Sequence, residues 1–311
     1  MVAKQIGIGG AAMPRGSIYG PTPWEVGCFA TRSPGAQEMV LLGEADPEQG
    51  TRLDSATINF VIYRRHRLMN PMSTGQLARV LAFTDLRPGD KAVDLGCGGG
   101  FLTDWIAARY QLEMTGVERF GPMTELARDT AASGRFRLVE IAAADYLASA
   151  GEHRLLSTLG AIDVVPGLVR PVDVMAALLP SIAPGGWLLW GDPFWKRPPS
   201  PRLNLILAGD RFESLAGWMQ AGERAGLTPH YISVSPEEDW EEYIWRMNAS
   251  MIEWADDHVG TADADDMRER AQMLRTLYLE EGRDDAGFGL YLFRRPLSRP
   301  SVADARTSMS K

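Results

Sequence analysis

Cysteine is nearly absent: Cys28 and Cys97 are the only two in 311 residues, and four histidines are scattered along the chain. That is too little for a disulfide framework or for a zinc site of ordinary spacing, so no metal is expected. Basic residues are in deficit, 32 against 40 acidic, which leaves a formal charge of -8. Nucleic-acid binders usually carry a basic footprint, so a nucleic-acid partner is not expected. No apolar run reaches the length of about eighteen residues that a membrane span needs. Gly7, Gly9, Gly10 and Pro14 also interrupt the N-terminal stretch where a secretory signal requires a continuous apolar centre. The expectation is a cytoplasmic protein, monomeric or homodimeric, without a membrane partner.

What remains is ordinary globular composition, 45% hydrophobic and 23% charged, enough for one large core. Residues 1–50 are rich in Gly, Pro and Ala without a sustained period and read as an irregular arm, with Trp24 and Phe29 as docking points. Residues 51–90 read as helices that cover a ligand site. One runs from Asp54 to Leu68 and stops at Asn70-Pro71. The next starts at Ser73, with capping-box spacing to Gln76 and a Met72–Leu77 staple.

From Lys91 short apolar strands alternate with helices: Ala92 to Leu95, Met114 to Val117, Arg137 to Ile141, Ile162 to Val165 and Trp187 to Trp190. This alternation argues for an α/β fold with a parallel sheet covered by helices on both faces. Residues 91–235 form the expected core, with a helix near Glu213–Ala225 and a strand at His230–Val234. Two helices between Pro236 and Glu281 make a helical cap over residues 236–286. The last strand occupies 287–296, and 297–311 has the composition of a disordered tail.

The chemistry-bearing element is Asp94-Leu-Gly-Cys-Gly-Gly-Gly100, between the first strand and a helix. Glycines let the backbone approach a ligand closely and take positive φ, and the helix N-terminus offers unpaired N–H groups to a carboxylate or phosphate. A dinucleotide fingerprint needs Gly-x-Gly-x-x-Gly/Ala. Counting from Gly96 puts Phe101 in the last position, which argues against a dehydrogenase.

Val93-Asp-Leu-Gly-Cys-Gly-Gly-Gly100 resembles motif I of class I S-adenosylmethionine-dependent methyltransferases. The resemblance extends over about residues 60–296. His66 to Ser73 (His-Arg-x-x-Asn-Pro-x-Ser), Leu179 to Gly186, and Gly191-Asp-Pro-Phe-Trp195 with Lys196-Arg-Pro-Pro199 are similar to a bacterial small-molecule, natural-product type subset. It implies a Rossmann-like seven-stranded, mostly parallel sheet with the final strand antiparallel and the helical cap inserted before it. It also implies S-adenosylmethionine as cofactor, S-adenosylhomocysteine as product and a small organic acceptor. Asp94, Gly96, Cys97, Gly98 and Gly100 are the implied loop contacts. Glu118, 24 positions after Asp94, would bind the ribose hydroxyls and Asp145 the adenine amino group, with Arg119 and Tyr146 beside them. In that subset the fourth strand tends to end in a Gly-Ala/Ser-x-His-like segment. Here Pro166-Gly-Leu-Val-Arg170 holds no histidine, so that residue's role does not transfer.

Each candidate also has a plain structural explanation. Cys97 suits a small filler better than a nucleophile. Glu118 and Asp145 taken singly are strand-end carboxylates. His66 lies in the charged run Arg64-Arg-His-Arg67, where it is a helix-face residue or an acceptor-side base. Asp192 is a turn former before Pro193 or a group at the sheet's carboxyl edge, where open α/β folds bind ligands; Phe194 and Trp195 share that position.

Trp240, Tyr243, Ile244, Met247, Met251 and Trp254 fall on one helix face, which demands burial and also suits a lid over an organic acceptor. His66, Asp192 and Tyr243 are the candidate bases if the acceptor is a hydroxyl. Phe194, Trp195, Trp240 and Met247 are the candidate acceptor contacts, favouring a flat aromatic or heteroaromatic molecule. A protein or RNA methyltransferase, and a binding protein on a methyltransferase scaffold, are the competing functions.

Overall fold

A computed structural model of the chain describes residues 53–161, 164–206 and 212–297. The arm at 1–50, with Trp24 and Phe29, and the tail beyond Leu297 lie outside the described residues. Helix α1 (Ser55–Tyr63) begins at Asp54, whose carboxylate accepts from the Thr57 amide at 2.7 Å. It stops short of the Leu68 end expected from its apolar period. Helix α2 (Thr74–Leu81) begins at Ser73, whose hydroxyl accepts from the Gln76 amide at 3.2 Å. Only that half of the capping box forms. The buried Gln76 side chain donates to the Ser233 carbonyl and accepts from the Ser235 hydroxyl, both at 3.2 Å, which fastens α2 to the far edge of the sheet.

The core alternates β1 (Lys91–Leu95), α3 (Phe101–Tyr110), β2 (Glu113–Val117), α4 (Gly121–Ala131), β3 (Phe136–Val139), α5 (Ala143–Ser149) and β4 (His153–Leu159). It continues with α6 (Pro171–Leu178), β5 (Ile182–Trp195), α7 (Pro201–Ile206), α8 (Leu215–Arg224) and β6 (Thr228–Val234). Helices α9 (Glu237–Asp257) and α10 (Ala262–Leu277) precede the last strand, β7 (Ala286–Arg294). The seven strands run in the order β3-β2-β1-β4-β5-β7-β6. The pairs among β1 to β5 are parallel, and β7 runs antiparallel to both β5 and β6. This is the expected mostly parallel sheet with its final strand reversed.

Alternation along the strands splits the core in two. On β5, Trp187 and Leu189 face the layer of α1, α3, α9 and α10. Leu188 and Trp190 face α5, α6 and α8. The fourth strand corrects the sequence-based expectation. It is His153–Leu159, and Val164 and Val165 lie beyond its end, while Ile162 falls outside the described residues. Ser157 and Thr158 lower the strand's apolar signal because their buried hydroxyls donate to Asp94 at 2.7 Å and to the Ala161 carbonyl at 3.2 Å. In sequence the segment after the strand is therefore Gly160-Ala161-Ile162-Asp163, with aspartate where the resembling subset carries histidine.

Candidate active site

The carboxyl ends of β1, β2 and β4 open into a cleft with about 1290 Å³ of space continuous with solvent. Its floor is the glycine loop. Gly98 (φ +53°) and Gly100 (φ +78°) both sit in the left-handed region. A Cβ at Gly98 would stand 2.7 Å from Met69 Sδ, and one at Gly100 would stand 2.8 Å from Phe136 Cζ. Gly100 is also the N-cap of α3 and supplies no capping side chain, so the first N–H groups of that helix remain available to a ligand anion.

Asp94 is the last residue but one of β1 and is 2% exposed. Thr103 Oγ1 and Ser157 Oγ each donate to its carboxylate at 2.7 Å. Burial outweighs these two bonds, and the nearby Glu118 charge adds to it, so the carboxyl is pushed up to about 6. Glu118, just past β2, accepts from three amides: Gly98 at 2.9 Å, Arg119 at 2.9 Å and Phe120 at 3.0 Å. Burial again raises its carboxyl while the amide bonds oppose the rise. Burial pushes the Cys97 thiol well up, with Asp94 and Glu118 adding to it, which suits a filler and not a nucleophile.

Asp145 is exposed on the first turn of α5, and the cleft wall there is Ile141, Ala142 and Ala143. Tyr146 is buried on the other side, its hydroxyl 3.0 Å from His153 Nε2. Arg119 does line the cleft.

The roof comes from α1 and the segment after it. Asn59 and Tyr63, one helical turn apart on α1, both line the cleft. Further along, the Arg67 guanidinium lies 4.4 Å over the Phe101 ring. Asn70 donates to the Leu159 carbonyl at 3.2 Å.

Of the three candidate bases, the fold joins two. His66 Nε2 is 3.0 Å from the Tyr243 carbonyl, which only accepts, so that nitrogen carries the proton. Burial holds His66 below its ordinary value, opposed by its bonds to the Tyr243 and Tyr63 backbones. Tyr243 and Tyr63 share a hydroxyl–hydroxyl hydrogen bond at 3.0 Å. Tyr63 is the member of this trio that reaches the cleft, and the sequence reading missed it because α1 carries little amphipathic contrast.

Asp192 lies elsewhere, buried on the face of β5 that packs against α6 and α8, where its charge adds to the burial that raises Tyr291. Phe194 packs in the same layer, and Trp195 meets the Phe212 ring edge-on at 5.6 Å. Trp240, Tyr243, Ile244, Met247 and Met251 are buried in the core between α9, α1 and α10, so the apolar face of α9 is already filled. Neither Trp240 nor Met247 lines the cleft. Among the described residues no cluster of potential metal ligands occurs, and no helix is long and apolar enough to cross a membrane.

The strand order, the reversed β7 and the glycine loop define the class I methyltransferase fold. Solved structures agree. A SAM-dependent methyltransferase from Thiobacillus denitrificans, in complex with S-adenosyl-L-homocysteine, superposes with a TM-score of 0.68 at 22% identity, over 78% of this chain and 99% of that one. One from Geobacter sulfurreducens, also with S-adenosyl-L-homocysteine, gives 0.67 at 21% identity over 78% and 98%. By sequence the chain is 23% identical to the Escherichia coli K12 protein YjhP over 247 residues, 77% of this chain and 98% of YjhP. The YjhP crystal structure superposes with a TM-score of 0.66. No family model matches the chain.

Proposed function

We propose that the chain is an enzyme that binds S-adenosylmethionine in this cleft and transfers its methyl group to a small organic acceptor, releasing S-adenosylhomocysteine. The observation that carries this reading is the Glu118 carboxylate, held beside the glycine loop by three backbone amides with one oxygen on Gly98. A carboxylate fixed by main chain is a preset acceptor for a pair of ribose hydroxyls. The residues present fit the rest of the cofactor. The open first turn of α3 suits the amino-acid carboxylate, and the negative charge of Asp94 suits its ammonium. The small side chains of Ala142 and Ala143 leave room for a flat base. The structures with S-adenosyl-L-homocysteine bound support the same assignment.

Bound there, the cofactor supplies an electrophilic methyl on a sulfonium. The chain's part is to hold the acceptor in line with it, and such positioning is worth roughly 7–11 kcal/mol without an acid or base. In this reading Tyr63 is the hydroxyl that meets the acceptor. His66 and Tyr243 are positioning residues that hold Tyr63 and the roof, and Trp240 and Met247 seat α9 against α1. A cleft walled by Tyr63, Met69 and Met72 suits a flat aromatic or heteroaromatic acceptor. Methylation of aliphatic acceptors with refusal of aromatic ones would remove that part of the proposal.

Calorimetric titration with S-adenosylmethionine, S-adenosylhomocysteine and NADH tests the reading. Micromolar binding of the first two, weakened in Glu118→Ala, is the expected result. A folded protein that binds neither overturns it.

A further inference from the structure

Asn59 is 3% exposed and lines the cleft, yet its amide makes no hydrogen bond with any described residue, and Oδ1 is fully sequestered. A buried amide oxygen without a partner gives up its hydration for nothing in return. Other polar groups of the roof are accounted for. Asn70 is tied to the Leu159 carbonyl, Tyr63 to Tyr243, and Arg67 is stacked on Phe101. Oδ1 is closed off, and Nδ2 is the atom of the amide left open toward the cleft.

We infer that Asn59 reads the acceptor, and that the acceptor is a flat molecule whose carbonyl oxygen or ring nitrogen takes a hydrogen bond from the Asn59 amide, as in a lactam, a carboxamide or an N-heterocycle. The Nδ2 group of an asparagine donates and pairs with such an atom through one bond. This rests on the cofactor reading above. There the loop, Glu118 and the α5 lip already meet the cofactor's amino acid, ribose and base, which leaves Asn59 as the polar side chain unspent. Around it Met69, Met72, Leu159, Val164 and Pro166 give the cleft its apolar walls. An apolar surround strengthens a paired hydrogen bond and penalises an unpaired one.

The test uses the full chain saturated with S-adenosylhomocysteine, with 2-quinolone as the probe. 1-Methyl-2-quinolone, which keeps the carbonyl, is the second probe, naphthalene is the control, and binding is read by ligand-observed NMR. The expected result is that both quinolones bind at least about tenfold tighter than naphthalene and that Asn59→Leu removes this preference. Asn59→Leu should leave S-adenosylhomocysteine affinity unchanged and raise the Tm of the unliganded protein, since the orphan amide is gone. Equal binding of the quinolones and naphthalene overturns the assignment, and that comparison stands on the wild-type chain alone if the variant does not fold. A tenfold loss of S-adenosylhomocysteine affinity in Asn59→Leu overturns it by assigning Asn59 to the cofactor. Failure of the wild type to bind S-adenosylhomocysteine overturns the cofactor reading itself.

Discussion

Glu118 Oε2 accepts the amide of Gly98 at 2.9 Å, so the carboxylate at the end of β2 and the loop at the end of β1 are one unit. Its other oxygen holds the Arg119 and Phe120 amides. Three donors fix the group before any ligand arrives, which spares a ligand the cost of ordering it.

Glu118→Ala is therefore expected to weaken S-adenosylmethionine and S-adenosylhomocysteine binding by about 10- to 100-fold, the loss of charge-assisted bonds worth roughly 1.5–3 kcal/mol. Glu118→Gln should fall between, because one acceptor oxygen survives. Calorimetry on the three proteins checks the order.

Asp94 gives a stability test with a definite sign. Its folded-state carboxyl is raised to about 6 from an ordinary 3.8. A raised acid favours the fold fully below the ordinary value, and that contribution is lost as pH rises through the folded one. Asp94→Asn should thus gain on the wild type between pH about 4 and 6, by on the order of 3 kcal/mol at neutral pH. Urea unfolding at both ends of this range measures it. The same variant should bind the cationic cofactor more weakly, and wild-type affinity should rise from pH 5 to 7.

Gly100→Ala combines a positive φ with a Cβ 2.8 Å from the buried Phe136 ring. About 1–2 kcal/mol of backbone strain plus overpacking of similar size should lower Tm markedly. Phe136→Leu in the same chain should recover the packing part and leave the strain, and a thermal melt of the double variant separates the two.

His66 titrates in the opposite sense to Asp94. Burial depresses its value, so its contribution is complete above the ordinary value of 6.5 and is lost as pH falls below it. In an Asp94→Asn background, which removes one opposing titration and leaves that of Glu118, the stability advantage of His66 over His66→Phe should shrink from pH 7 to 5. His66→Phe should be less stable at pH 7, with the bond from Nε2 to the Tyr243 carbonyl gone, but should show a flatter acid limb. Unfolding midpoints across that range decide it.

The glycine loop and the strand–helix alternation were legible in the sequence because close approach, positive φ and helix packing demand particular residues there. The fourth strand was not, for a reason tied to the site. Ser157 and Thr158 are polar because they face Asp94 and the Ala161 carbonyl, and a periodicity argument reads buried hydroxyls as loop. The run at Ile162–Val165 offered a stronger apolar signal a few residues downstream. The face of α9 illustrates a different limit. Trp240, Tyr243 and Met247 had to be buried, but amphipathicity does not say against what, and the partner proved to be the roof helix and not open space. Residue type points to Asp145, but its side chain is exposed, and the wall of the cleft is the alanines just before it.

The roof of the cleft is held by residues far away in the chain. Tyr63 meets Tyr243 across 180 positions, His66 meets the Tyr243 carbonyl across 177, and Arg64 donates to the Ser250 carbonyl across 186. Each of these contacts closes a far longer loop than the Glu118–Gly98 bond, which spans 20 positions. A chain truncated ahead of α9 would lose β7 as well and would have nothing to brace α1 above the glycine loop.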